Sequence, residues 1–292
     1  MAKVAGIPEK NHPYLDSCPI GCSSSLAITD IVFPEGPLRR CSECGQLVSR
    51  CGEEIYRQSL SEFDDPQGTL PGPDSLARHH RRAEKCLIKI GRALRKPPQE
   101  IRLLDIGCST GAFIAVACRM GFSAEGVEPA PKAARSAQDA GFRVHQGLLE
   151  EVAFPDQVFD AVTLFEVIEH VREAVPLIQE CYRILRPGGV LVIGTGNAAS
   201  WAVSVMRSRW DYFHIERHGG HVSFFNPRSI RLLAERCGFR VDSLKTRSMR
   251  FFEKEDVHPF VYRLAKGVSE LLNLPSQLFG KGHDMQVFLR KP

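Results

Sequence analysis

Asp105, Gly107, Ser109, Gly111 and Glu128 fall within 24 residues and have the types and spacing of a ligand site. Asp105 sits near the end of an apolar run, "IRLLDIG", that reads as a buried strand; "GCSTG" reads as a turn of small residues and "AFIAVACRMG" as the helix that follows. Gly107 and Gly111 allow a tight turn and let backbone come close to a ligand. Glu128 follows Gly107 by 21 residues, at the end of the next strand-like run, where a carboxylate can accept hydrogen bonds from both hydroxyls of a ribose. Nicotinamide dinucleotides and S-adenosylmethionine both carry that ribose. A pyrophosphate wants glycine in the middle of the turn, where this chain has Ser109. It is also repelled by Asp105, whereas a methionine moiety brings an ammonium and a sulfonium. One such contact, at about 4 Å and an effective dielectric of about 20, is of order 4 kcal/mol before desolvation. The sign of that contact selects the cationic ligand. No Lys-Ser or Lys-Thr follows the turn, which excludes a Walker loop.

A second set of reactive side chains lies near the N-terminus. Cys18 and Cys22 form one close pair and Cys41 and Cys44 another, with 18 residues between the pairs. Two such pairs can deliver four thiolates to a tetrahedral zinc at about 2.3 Å each, with no open coordination position. The alternative is a set of free thiols. Cys51 is a spare candidate at poorer spacing. The intervening segment is polar and rich in Pro and Gly, so it needs something other than its own core to hold it.

The elements that must position these groups follow from periodicity. Leu76, Ala83, Leu87, Ile90 and Leu94 share one face of a predicted helix that runs from Asp74 or Ser75 to about Leu94. After Pro98, strands and helices alternate through "SAEGVEP", "KAARSAQDAG", "FRVHQG", "FDAVTLF", a helix over about Arg172–Leu185, and "VLVIGTG". This predicts an α/β fold: a Rossmann-like, doubly wound, seven-stranded and mostly parallel sheet with a small N-terminal zinc-knuckle module. The tail adds the helix "SIRLLAERCGF", the strands "RVDSLKT" and "MQVFLRK", and an amphipathic helix between those strands. The predicted organisation is a zinc-binding module over 1–51, a linker and leading helix over 52–98, and the main domain over 99–292 with a helical insertion at about 253–280. The 292 residues are 43% hydrophobic and 25% charged, an ordinary globular balance. The net charge of +4 is well short of a nucleic-acid footprint. The basic stretch "ARHHRRAEK" is either a solvated helix face or a contact for an acidic ligand. No signal peptide and no membrane-length apolar run is visible, so a cytoplasmic location is expected.

The segments "LLDIGCSTG", "GVEP", "FDAVTLFEVIEHV" and "ILRPGGVLVIGT", in this order and spacing, resemble successive motifs of the class I S-adenosylmethionine-dependent methyltransferases. The resemblance covers roughly Ile101 to Thr195. It implies that Asp105 and the turn Gly107, Cys108, Ser109 and Gly111 hold the methionine portion of S-adenosylmethionine. It implies that Glu128 holds the ribose, with Pro129 beside the adenine. Leu148 and Leu149 follow the third strand, where the family often has an Asp for the adenine amino group; here that Asp is missing and backbone amides would substitute. Phe165 and Glu166 would line the floor beneath the sulfonium. A zinc module ahead of such a domain resembles methyltransferases of bacterial sugar, cell-envelope polysaccharide and natural-product pathways.

Methyl transfer to a hydroxyl or a carbon acid needs a base. His170, in "EVIEHV", is a recurrent position of the family, as a base or as an orienting group. His221, in "GHVSFF", resembles the second histidine of the Tyr-His-Glu-His segment of sugar C-methyltransferases, although His218 and Gly220 replace its Tyr and Glu. Trp210, Tyr212 and His214 read as substrate contacts on the same loop. The expected activity is methyl transfer to a small molecule or a sugar or glycoconjugate, on oxygen or carbon. The alternatives are a tRNA or protein methyltransferase and a non-catalytic methyltransferase-like binding protein.

Overall fold

The computed structural model describes residues 15–62, 73–214, 220–252 and 257–292. In chain order, β1 (Leu26–Phe33), β2 (Gly36–Cys41) and β3 (Leu47–Val48) precede α1 (Glu53–Glu62) and α2 (Pro73–Leu94). Then come β4 (Arg102–Ile106), α3 (Ala112–Arg119), β5 (Ser123–Glu128), α4 (Pro131–Asp139), β6 (Val144–Gln146) and the one-turn α5 (Leu149–Val152). β7 (Phe159–Phe165), α6 (Ala174–Ile184), β8 (Leu185–Gly196) and α7 (Trp201–Met206) follow. The chain ends with β9 (Ser223–Phe224), α8 (Pro227–Arg236), β10 (Arg240–Arg247), α9 (Pro259–Leu278) and β11 (Asp284–Arg290).

Seven strands form one sheet in the order β6-β5-β4-β7-β8-β11-β10. Only β11 runs antiparallel to its neighbours. The predicted seven-stranded, mostly parallel sheet is therefore present. Alternate side chains of the central strands feed opposite faces, as the strand period of two requires. On one face Leu104, Val162, Leu164 and Leu191 pack against Ile178 of α6 and Leu233 of α8. On the other, Leu103, Ala161, Val190 and Val192 meet Leu87 and Ile90 of α2 and Val116 of α3. Leu87 and Ile90 are fully buried, which stabilises the seat of α2 by roughly 1.5–3 kcal/mol each. The chain leaves β4 toward β5 and β6 on one side and returns to β7 on the other. The carboxyl ends of β4 and β7 thus flank the point where strand order reverses, the usual ligand crevice of such a sheet.

A second, antiparallel sheet has the order β1-β2-β3-β9. Its last strand comes from beyond β8, so the N-terminal segment is closed by a strand of the main domain. The segment borrows a core as well. Ile31, Phe33, Leu38 and Leu47 pack with Trp210, Tyr212, Phe213 and Phe224. Where a linker was expected after Gly52, α1 forms instead. Glu53 and Glu54 suit its N-terminal dipole, and Arg57 pairs with Glu53 one turn away at 2.7 Å. Tyr56 packs against a buried cluster of Leu15, Val48 and Val222. Among the described residues, no helix is long and apolar enough to cross a membrane.

Candidate active site

The glycine turn is built by backbone that side chains would obstruct. Gly107 has φ +70°, and a Cβ there would come within 2.4 Å of Val167; Gly111 has φ +83°, and a Cβ would meet Phe142 at 2.8 Å. Ser109 also takes the left-handed conformation, at φ +48°. Its amide donates to Glu128 Oε2 at 2.8 Å, while the Ala130 amide donates to Glu128 Oε1 at 2.9 Å. Two backbone donors thus aim the Glu128 carboxylate at the end of β5. Asp105 is only 4% exposed and accepts a 2.6 Å hydrogen bond from Thr163 Oγ1. Burial, reinforced by the nearby Glu128, pushes its pKa up to about 7. Two neighbouring carboxyls, one of them desolvated, make a crevice that favours a cation.

The carry-over residues separate into those that face this crevice and those that do not. Glu128 is buried at the strand end beside the turn, and Pro129 is exposed next to it. Cys108 turns its side chain inward, against Ile114, Ala134 and Ala137, and has only backbone to offer. Leu149 is buried in the main core, so it likewise has only backbone for a ligand; Leu148 is exposed, and its amide already donates to Glu151 at 2.7 Å. Phe165 packs against Phe113 in a tilted pair with centroids 5.1 Å apart, and both line a cavity of about 320 Å³ that reaches Glu166, Gly194 and Thr195.

Glu166 is the floor of that cavity and the edge of a polar cluster behind it. It has φ +55°, an uncommon backbone conformation held where β7 meets the following turn. The Tyr212 hydroxyl donates to Glu166 Oε2 at 2.8 Å, makes a short contact with Glu169 Oε1, and accepts from the Gly196 amide at 2.9 Å. Although the Glu166 residue opens onto the cavity, desolvation of its carboxyl, with Glu169 alongside, holds it well above the usual carboxylate range; burial, then Glu166 and Glu169, raises the Tyr212 phenol. His221 is 2% exposed and its Nδ1 donates to the Tyr212 carbonyl at 2.9 Å. Its Nε2 lies 3.9 Å from Glu169 Oε1. His170 lies against His221 with ring centroids 4.6 Å apart. Glu169, His170 and His221 present ligand atoms that all lie within 4.8 Å of one another, a set able to hold a divalent cation.

The loop that carries His221 differs from its expected role. Trp210 and Phe213 are buried in the core beneath the β1-β2-β3-β9 sheet, shared with Ala202 and Val203 of α7, and Trp210 Nε1 donates to His283 Nδ1 at 3.1 Å. Tyr212 reaches the site from behind rather than from the substrate side. His214 is bonded to the Ser208 carbonyl at 3.0 Å, and His218 lies outside the described residues. Glu169 was missed in the sequence, although Glu166, Glu169 and His170 in "EVIEH" have the close spacing of a shared site.

The four cysteines converge as their spacing predicts. Cys18, Cys22, Cys41 and Cys44 are buried, their sulfurs lie within 4.8 Å of one another, and Cys18 and Cys44 sulfurs are 3.5 Å apart. Thiolates at about 2.3 Å from one zinc lie about 3.8 Å from each other, so the set fits that ion. Burial first, then Cys44, pushes the Cys22 thiol up to about 12. Arg236 reaches Cys22 Sγ at 3.5 Å and the Ile20 carbonyl at 2.6 Å, supporting the first pair from α8. Cys51 stands apart and donates to the Gly52 carbonyl at 3.1 Å.

A family model described as a methyltransferase domain matches residues 77–244, more than half of the chain. The chain belongs to the class I S-adenosylmethionine-dependent methyltransferases. A ubiquinone biosynthesis O-methyltransferase of Azorhizobium caulinodans is 32% identical over 181 residues, which cover 59% of this chain and 68% of that protein. The corresponding protein of Caulobacter vibrioides is 32% identical over 52% of this chain and 65% of its own length. The mitochondrial one of Rattus norvegicus is 30% identical over 51% and 47%. The matches thus span from about half to two thirds of these relatives. Among solved structures, a SAM-dependent methyltransferase from Archaeoglobus fulgidus superposes with a TM-score of 0.52 at 20% identity, covering 72% of this chain and 94% of that one. This last likeness speaks for the fold.

Proposed function

We propose that this methyltransferase acts on a hydroxyl of a small molecule, with S-adenosylmethionine seated over the Gly107–Gly111 turn. Asp105 faces the cationic methionine end and Glu128 the ribose. The observation that carries the reading is Glu166: it opens onto the acceptor cavity and is bonded through Tyr212 to Glu169, beside His170 and His221. A hydroxyl held over Glu166 has a proton route through the Tyr212 hydroxyl to Glu169, with His221 Nε2 beyond it at 3.9 Å. Most of the rate comes from aligning the methyl group with the acceptor oxygen and excluding water. The relatives named for O-methylation support oxygen over carbon as the acceptor atom. A sugar remains within the proposal as one class of hydroxylated acceptor.

Glu169, His170 and His221 also suit a divalent cation, which would acidify a bound hydroxyl. The four thiolates suit a structural zinc.

The reading is tested in two steps. S-adenosylhomocysteine should bind at micromolar levels by calorimetry and NADH should not; the reverse overturns the donor site. Radiolabelled methyl transfer to phenolic and sugar acceptors, with and without added magnesium or manganese, should then fall about 10²–10⁴-fold in His221→Gln while S-adenosylhomocysteine affinity is kept. A fully active His221→Gln enzyme overturns the role of the cluster.

A further inference from the structure

The basic stretch of α2 is not used by the donor site. Arg82 lines the cavity over Glu166, and Arg78 and Arg82 line a second cavity of about 320 Å³ beside it. The two cavities share Arg82, Ser248 and Asp284. Arg247, at the end of β10, lines the first cavity as well, and Arg250 and Lys266 line the second. Five cationic side chains therefore border the joined space against three carboxyls, Glu166, Asp284 and Glu270.

Among the described residues, Arg78, Arg82, Arg247 and Lys266 take part in no ion pair within 4.0 Å and no side-chain hydrogen bond. Arg247 is half-buried, and burial followed by repulsion from Arg82 lowers its pKa. Arg82 is exposed and Arg247 half-buried, and although Asp284 acts on Arg247 from the same lining, the two like-charged guanidinium groups face one cavity with no ion-pair partner within 4.0 Å among the described residues. Their planar forks match the oxygens of a phosphate or carboxylate. Beyond them, Phe251, Phe252 and Tyr262 place three aromatic rings in the otherwise largely polar lining of the second cavity.

We infer that the methyl acceptor carries an anionic group, a phosphate ester or a carboxylate, gripped between Arg82 and Arg247 while its hydroxyl lies over Glu166. The portion of the acceptor beyond the anion then lies against Phe251, Phe252 and Tyr262. This rests on the acceptor reading of the cavity over Glu166, and it assigns the basic stretch of α2 to substrate selection.

The test uses the full chain saturated with S-adenosylhomocysteine, with pyrophosphate and malonate as separate calorimetric probes. The wild-type protein should bind at least one of them. Arg82→Gln and Arg247→Gln should each weaken that binding about tenfold or more, with S-adenosylhomocysteine affinity within about twofold of wild type. Preference for pyrophosphate identifies a phosphorylated acceptor; preference for malonate identifies a carboxylated one. Because Arg247 lacks a partner, Arg247→Gln should keep or raise Tm while abolishing the Tm increase that the probe gives the wild type. Binding of neither probe, or equal binding by both variants, overturns the inference alone. Loss of S-adenosylhomocysteine affinity in Arg82→Gln with probe binding unchanged assigns that arginine to the donor and also overturns it. Failure of S-adenosylhomocysteine to bind the wild type overturns the donor site and this inference with it.

Discussion

Among the described residues, two clusters can hold a metal, and they are built in opposite ways. Cys18, Cys22, Cys41 and Cys44 come from 27 consecutive residues, all four are buried, and four thiolates complete a tetrahedron by themselves. Glu169, His170 and His221 bring together a β7–α6 turn and a loop some fifty residues later, supply three ligand atoms, and communicate with a cavity through Tyr212 and Glu166. A closed four-ligand set serves the scaffold. A three-atom set is open to a further ligand, and Tyr212 links it to Glu166 at the cavity; that difference supports the proposal of a structural role for the first and a chemical one for the second.

The largest effect that would break this contrast comes from the thiolates. Cys41→Ser combined with Cys44→Ser should remove about one zinc per chain, measured by metal analysis. A structural zinc is worth about 10–16 kcal/mol of binding, more than a small sheet with few core residues of its own can lose. The β1–β3 segment should therefore unfold, seen as loss of amide protection by hydrogen exchange. Because β3 pairs with β9 and the shared core holds Trp210 and Tyr212, activity should also fall although no residue of the donor site has changed. Zinc retained by the double variant would show that other ligands hold it.

The carboxylate–histidine cluster should respond the other way. Glu169→Gln keeps the side-chain shape and an acceptor for Tyr212 but removes the charge. The rate should drop about 10²–10⁴-fold, with S-adenosylhomocysteine affinity and zinc content unchanged. A variant that instead loses the fold and keeps its residual specific rate would make the second cluster structural too, and the contrast would fail.

The sheet and the donor turn were legible because their signals are local. Asp105, the glycines and Glu128 sit within one strand–helix–strand unit, and runs such as "AVTLF" mark strands buried on both faces. The cysteine pairs were legible for the same reason. What escaped depends on partners distant in sequence. β9 is two residues long and exists because Leu47 and Val48 pair with it. The aromatic loop after β8 reads as a substrate surface until the N-terminal sheet covers it and turns Trp210 and Phe213 into core. α1 is too polar to announce itself as a helix, and it is held by Tyr56, whose hydroxyl donates to the His170 carbonyl at 2.6 Å. Cys108 and Leu149 were named by family position, Leu149 for its backbone amide, and packing turns both side chains inward, which leaves each its backbone.

The smallest expected effect is a proton. Asp105 rises from an ordinary value of 3.8 to about 7 in the folded protein, chiefly through burial. Below pH about 4 it is protonated in both states and costs nothing. Between about 4 and 7 the unfolded chain ionises this group while the folded chain does not, so the stability due to Asp105 falls as pH rises and levels off above about 7. Subtracting the Tm of Asp105→Asn from that of wild type isolates this slope from the other carboxyls. A bound ammonium or sulfonium favours the ionised form, so S-adenosylhomocysteine binding at pH 6 should release part of a proton from Asp105, and S-adenosylmethionine should release more. Calorimetry in buffers of different ionisation enthalpy reads that release directly, and it should vanish above about pH 8 and in Asp105→Asn. Equal release by wild type and Asp105→Asn would move the proton to another group. The donor crevice would then owe its preference for a cation to Glu128 alone, without the buried acid behind it.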